Sequence, residues 1–181
     1  MTTDAESDVE LVRRFQRGDP SAYEALVRRY QNRVYRLAAV WLDDAQHAAD
    51  VTQEVFLRGL KGFKSFRYRA APFTWLYRTT KNVCREFNRR RPTETLEIEP
   101  GDPSADTENE IKSLQAARRV RELITSLPER QREVVVLRIF EDLSVAETAI
   151  AMGCREGTVK ALMHKATAGL RLKLRPGEEA R

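Results

Sequence analysis

The sequence predicts an all-α protein of two small helical domains joined by a flexible acidic linker. Three observations carry that prediction. Apolar residues recur at i, i+3, i+4 spacing through most of the 181 residues, and no strand-like alternation persists. Residues 92–110 hold seven acidic residues and no basic one, with too few apolar side chains to order alone. Leu143 to Leu174 reads as a helix, a tight turn and a second, longer helix. The domains are therefore read as 1–91 and 111–181, with 92–110 as the linker.

Along the chain, Ser7 to Arg17 reads as a short helix, with Ser7 and Glu10 as a capping box and Gly18 just past its end. Asp19-Pro20-Ser21 opens the next helix, with Pro20 suited to a first helical position. Ala22, Tyr23, Leu26, Val27, Tyr30, Val34, Leu37, Ala38 and Trp41 form its inward stripe, the strongest helix signal in the chain. Asp43-Asp44 opens a third helix running to about Lys61, with Val51, Val55, Phe56 and Leu60 facing inward. Its other face carries Asp50, Gln53, Glu54, Leu57, Arg58 and Lys61, acids first and bases last as the helix dipole favours. Leu57 is an exposed apolar residue among polar ones on that face, a candidate anchor for a partner.

Residues 62–71 form a loop in which basic and aromatic residues interleave. Two readings stand: stacking and phosphate pairing with single-stranded nucleic acid, or aromatics tucked into the core. Pro72 starts a fourth helix, ended by Pro92. Leu76, Thr80, Val83 and Phe87 make its inward stripe. Arg78, Lys81, Asn82, Arg85 and Arg89 make a second stripe with four cations and no acid, which favours nucleic acid over a merely solvated face.

After the linker, Ile111, Leu114, Ala117, Val120 and Ile124 begin the second domain. Leu127-Pro128 breaks this helix, and Ser126 with Glu129 caps the next, which carries Val134-Val135-Val136-Leu137. Ser144 and Glu147 then form a capping box, Ala149 is small where a second helix must cross closely, and Gly153 supplies the turn. Thr158 and Lys160 lie on one side of the last helix, with Val159 and Leu162 on its inner side. This is the pattern of a helix-turn-helix, whose second helix reads the major groove. The plainer alternative is a helical hairpin that only packs.

Charge narrows the function classes. Residues 1–91 hold 18 Lys and Arg against 11 Asp and Glu, and residues 111–181 hold 14 against 9. Two basic blocks flanking an acidic spacer suggest a polyanion partner. No apolar run approaches the ~20 residues that span a bilayer, so no membrane insertion is expected, and the polar start reads as carrying no signal peptide. Cys84 and Cys154 lie far apart without a C-x-x-C and read as small buried residues in a reduced cytoplasmic setting. His47 and His164 have no nucleophile or carboxylate motif near either, and no glycine-rich phosphate loop occurs. No enzyme activity, metal or cofactor is expected.

The words GDPSAYEALVRRYQNRVYRLA, DVTQEVFLRGL and PFTWLYRTTKNVCREFNRRRP, followed by LPERQREVVVLRIFEDLS and VAETAIAMGCREGTVKALMHKA, resemble the extracytoplasmic-function (group 4) class of bacterial sigma-70-family initiation factors. The resemblance covers roughly residues 8–175 and implies a region 2-like four-helix domain and a region 4-like helix-turn-helix domain. It implies that Asp50 to Phe63 docks on core RNA polymerase, with Asp50, Gln53, Glu54, Leu57, Arg58 and Lys61 as contacts. It implies that Phe66, Arg67, Phe73, Trp75, Arg78, Lys81, Asn82, Arg85 and Arg89 recognise and open the minus-ten element, with Asn82 where the family places a base-reading asparagine and the loop holding a flipped base. Arg155, Thr158, Lys160, Ala161, His164 and Lys165, within the helix-turn-helix Val145 to His164, would read the minus-thirty-five element. The acidic linker is similar to the segment that threads the polymerase toward the RNA exit path.

The partners so implied are the beta-prime and beta subunits of core RNA polymerase, promoter DNA and an anti-sigma factor, with the free chain a monomer serving a stress or envelope-signal regulon. Ala161, Leu162, Thr167 and Gly169 depart from the more basic recognition helices of that family. A stand-alone helix-turn-helix regulator is the rival, and the cationic stripe of the first domain argues against it.

Overall fold

The computed structural model describes residues 6–42, 44–90 and 108–174, with the side chains of Ala45 and residues 108–114 excepted. The described residues are helical with no strand, and fall into two compact units divided at Pro92–Thr93.

The first unit holds α1 (Asp8–Gln16), α2 (Pro20–Trp41), α3 (Ala48–Gly62) and α4 (Pro72–Arg90). Local chemistry starts the first two. The Ser7 hydroxyl accepts from the Glu10 amide at 3.3 Å, while the Glu10 carboxylate turns to Arg17 at 2.8 Å. Asp19 accepts from the Ser21 amide at 3.0 Å and from Arg14 at 2.6 Å. Gly18 takes a φ of 96° between the two helices, which any Cβ would disfavour. The long α2 is the axis of the unit and packs against α1, α3 and α4. Its predicted stripe is buried, except for a half-buried Val27.

α3 begins later than the sequence suggests. Asp44 accepts from the Gln46 amide and opens a single tight turn at Ala45–His47, so the α-helix starts at Ala48. Asp43 lies outside the described residues. Val51, Val55 and Phe56 are buried as predicted, but Leu60 is 40% exposed and lines an open groove between α2 and α3. Close approach of the helices uses glycine twice. A Cβ on Gly59 would meet the Tyr23 hydroxyl at 2.6 Å, and one on Gly62 would meet the Trp75 ring at 2.2 Å. Cys84 is buried in α4, and burial pushes its thiol up to about 12, so it behaves as a small apolar residue.

The second unit holds α5 (Glu108–Thr125), α6 (Glu129–Val135), α7 (Val145–Met152) and α8 (Glu156–Leu174). α5 starts inside what the composition marks as linker, at Glu108, and the rest of that acidic stretch lies outside the described residues. Ala117 and Val120 are exposed rather than inward, and burial begins at Ile124 and Leu127. The Ser126–Glu129 cap does not form. Pro128 is the N-cap with extended ψ, the Ser126 hydroxyl is taken by Lys173 at 2.6 Å, and Arg132 satisfies the Thr125 carbonyl instead. Val134 to Leu137 are buried. The helix then widens into a π turn at Val136–Phe140, closed by the Glu141 amide on the Val136 carbonyl, and Ile139 and Phe140 emerge into solvent.

Two predictions follow from this packing and capping. Gly62→Ala gains helix propensity of about 1 kcal/mol but drives a methyl into a Trp75 ring already held by Phe63 at 4.9 Å. Overpacking of ~1–3 kcal/mol wins, and urea denaturation of the full chain should show a net loss for Gly62→Ala. Hydrogen bonds from Ser21 and then Arg14 hold the Asp19 carboxyl at about 2, below its ordinary 3.8. A depressed folded value stabilises above the unfolded value and is lost as pH falls through the folded one. The stability advantage of wild type over Asp19→Asn should therefore be full at neutral pH and shrink as pH falls from about 4 to about 2, read from denaturation midpoints.

Candidate nucleic-acid interface

Three surfaces collect the residues singled out by the sequence. On α3, Asp50, Gln53, Leu57 and Lys61 are exposed, while Glu54 and Arg58 are half-buried. Arg58 explains the difference. It donates to Glu54 at 2.7 Å and forks onto both oxygens of Glu86 on α4 at 3.1 and 2.8 Å. Glu86 and Glu54 raise the guanidinium above its ordinary value, and Arg58 lowers the Glu86 carboxyl. This pairing locks α3 to α4 and leaves Gln53 and Leu57 to face outward. Leu57 lies beside a groove of about 440 Å³ between α2 and α3, lined also by Tyr35 and Leu60. Those three apolar residues are 51%, 47% and 40% exposed respectively. Sequence reasoning missed Tyr35, because nothing on α2 alone shows that it sits across from Leu57.

On α4, Arg78, Asn82, Arg85 and Arg89 are exposed along one face. Lys81 is not part of it. It is only 7% exposed, with its ammonium 4.9 Å from the Trp41 ring centroid. At 3.6 residues per turn it sits about 60° round from Arg78, and α2 covers that flank. Its role is a cation–π contact inside the unit, a correction to the predicted stripe. Glu86, the acid beside the row, is neutralised by Arg58, so the row keeps one sign.

The loop resolves its two readings residue by residue. Phe63 is buried, Phe66 half-buried, and Arg67, Tyr68 and Arg69 are exposed. Phe73 is also corrected: it is 5% exposed, stacked on Tyr30 at 5.6 Å, with the Arg33 guanidinium 3.8 Å from its ring centroid and 5.4 Å from that of Tyr30. It is core, out of reach of a base. Trp75 is half-buried between Gly62 and Phe63.

In the second unit the helix-turn-helix forms as its chemistry directs. Ser144 accepts from the Glu147 amide at 3.2 Å and the Glu147 carboxylate accepts from the Ser144 amide at 2.8 Å. Those bonds hold the Glu147 carboxyl below its ordinary range. Gly153 has φ 61°, and the amides of Gly153 and Cys154 bond back to Ile150 and Ala149, the paired arrangement that ends helices at a left-handed residue. α8 then presents Thr158, Lys160, Ala161, His164 and Lys165, with Arg155 just ahead, all exposed. Val159 is buried, and Leu162 half-buried. A groove of about 380 Å³ runs beside Lys160 and His164, and Arg138 and Arg171 line it too. Arg171 lies on α8 itself, seven residues after His164, at a helical spacing that could have joined it to that face, whereas Arg138 comes from a separate element and had no such signal.

Among the described residues no cluster of His, Cys, Asp and Glu could hold a metal ion, and no helix is long and apolar enough to cross a membrane. Residues 26–93 match the Sigma-70 region 2 family and residues 117–168 match Sigma-70, region 4. The RNA polymerase sigma-H factor of Pseudomonas aeruginosa is 34% identical over 94% of this chain and 95% of its own length. The ECF RNA polymerase sigma-E factor of Haemophilus influenzae is 35% identical over 94% of this chain and 96% of its own. The ECF RNA polymerase sigma factor SigM of Mycobacterium tuberculosis is 34% identical over 91% of this chain and 83% of its own. In fold, the chain resembles CnrH, solved in complex with the cytosolic domain of CnrY, with a TM-score of 0.74 and 23% identity over 93% of this chain and 97% of that one. Two family matches in order, relatives aligned along nearly their whole length, an exposed cationic row in the first unit and a helix-turn-helix in the second lead to one assignment: the chain belongs to the ECF RNA polymerase sigma factors, which direct transcription initiation and have no catalytic site of their own.

Proposed function

We propose that the outer face of α3, with Gln53 and Leu57 at its centre and the Tyr35–Leu60 groove beside it, docks on core RNA polymerase. The exposed row Arg78, Asn82, Arg85 and Arg89, together with the loop from Phe66 to Ala71, handles the minus-ten element. α8 reads the minus-thirty-five element with Thr158, Lys160, His164 and Lys165, and Arg155 reaches the backbone. The observation that carries this division is the one-sign face of α4: three arginines flank an exposed asparagine while the neighbouring acid is held by Arg58.

Lys81 and Phe73 have no part in the DNA face. Residues 1–91 and 111–181 act as the two working domains, and the acidic stretch between them follows the polymerase toward the RNA exit path. A sigma factor of similar fold supports an anti-sigma partner: RpoE of Bartonella quintana, solved with the anti-sigma factor NepR, with a TM-score of 0.65 and 19% identity over 84% of this chain and 97% of that one. The working compartment is the cytoplasm, the free chain is a monomer, and the regulon answers a stress or envelope signal.

Docking is tested by truncating its apolar centre. A buried interface anchor is worth ~2 kcal/mol or more, so Leu57→Ala should weaken core-polymerase binding at least about thirty-fold with unchanged far-UV helicity. Wild-type affinity would remove α3 from the interface.

The division between promoter elements is tested with saturation libraries of both elements. Phosphate contacts position and base contacts specify. Arg85→Ala and Arg89→Ala should weaken all promoters about equally and reduce the salt slope by roughly one unit per contact. Asn82→Ala should relax preference at one minus-ten base, and Lys160→Ala or His164→Ala should alter only the upstream element. A change upstream from Asn82→Ala, or downstream from Lys160→Ala, would undo the assignment.

A further inference from the structure

The backbone of the loop between α3 and α4 is held from outside, by a residue of α1. Tyr68 has φ 55°, a left-handed conformation disfavoured for a bulky aromatic residue. Such an outlier persists where surrounding contacts over-determine it, and it points toward function. Here the contacts converge on Gln16. Its Nε2 donates to the carbonyls of Phe63 and Phe66, both at 3.0 Å, and its Oε1 accepts from the Tyr68 hydroxyl at 2.6 Å. The network sets the amide orientation: the reverse would aim an acceptor at two carbonyls. Arg13, one turn earlier, lies 5.6 Å from the Tyr68 ring, and Tyr68 meets Phe66 edge-on at 5.2 Å.

Folding alone does not require this clamp. Gln16 and Tyr68 are exposed, and water could satisfy the same groups. Exposed hydrogen bonds add little to stability. Their effect is geometric: they fix the positions of the Phe66 and Tyr68 rings and the outward course of Arg67 and Arg69.

We propose that Gln16 is a positioning residue for base capture. It holds the Phe66–Arg69 backbone in the shape that receives one unpaired base of the minus-ten element. The inference rests on the assignment of this loop to opened DNA and adds a residue from a different helix. An unpaired base is captured most readily by a pocket formed beforehand, since the unstacking must be offset at once, and Gln16 is what preforms it.

The test uses the full-length chain with core polymerase on fork templates whose non-template minus-ten strand is unpaired, each position carrying all four bases. Gln16→Ala should reduce discrimination at one minus-ten position about five- to ten-fold, the scale of a lost hydrogen-bond pair. Core affinity and upstream-element preference should stay at wild-type values. Tyr68→Phe, which removes one hydroxyl and leaves the ring, should lose part of the discrimination at the same position. A selective wild type with unchanged selectivity in both variants overturns the inference alone. Loss spread evenly over all positions together with weaker core binding overturns it too, since it marks a merely structural contact. A wild type with no preference on any fork template overturns the minus-ten assignment itself, and the role of Gln16 with it.

Discussion

Tyr23 and Tyr30 lie two turns apart on α2, each burying its ring while its hydroxyl still needs an acceptor. A buried aromatic body with a polar tip can be satisfied in few ways. Tyr23 donates to the Phe56 carbonyl, which draws α3 so close that position 59 has no room for a side chain. Tyr30 donates to Asp8, which ties the start of α1 to the middle of α2, and Arg29 reinforces that tie through the same carboxylate. Desolvation raises both phenols above their ordinary range, to about 12 for Tyr23. Once these two bonds set the places of α1 and α3, the rest follows: Leu57 faces solvent, Gln16 comes to lie beside the loop, and α4 closes the unit with its arginines outward.

The two units use different physics. In the first, a single-sign row on a rigid helix sits beside a loop held in an unfavourable backbone conformation. In the second, a reciprocal cap at Ser144 and a left-handed glycine at Gly153 aim α8, which then packs on α6 and α7. The first half of α8 exposes two cations, Lys160 and Lys165, and the groove beside it adds Arg171 from the last turn of α8 and Arg138 from the widened turn at Val136–Phe140. Positive charge along this groove thus comes from both halves of α8 and from one arginine of a separate element.

What could be read in the sequence was what depends on near neighbours. The α2 stripe was legible because its period holds through five turns, and the Ser144–Glu147 box because its partners lie three residues apart. The exposed row of α4 was legible in part. Lys81 has the right spacing to within one position, but α2 brings Trp41 over it, and no property of α4 alone encodes that. Phe73 was misplaced for the same reason, since Tyr30 and Arg33 enclose it. The Ser126–Glu129 pattern was a valid local signal, defeated by Lys173 from the far end of α8. The Tyr35–Leu57 groove and the Gln16 clamp join helices remote in sequence, so neither had a periodic signature.

The widened turn at Val136–Phe140 separates sequence spacing from rotation. Its closing bond spans five residues where an ordinary helical turn spans four, so it holds one residue more than the helix before it. An α-periodic reading of the hydrophobic run that starts at Val134 therefore slips out of phase by about 100° beyond it. A widened turn of this kind takes up one residue locally, so the packing of α8 on α6 and α7 does not depend on an unbroken α-helical period through Val136–Phe140.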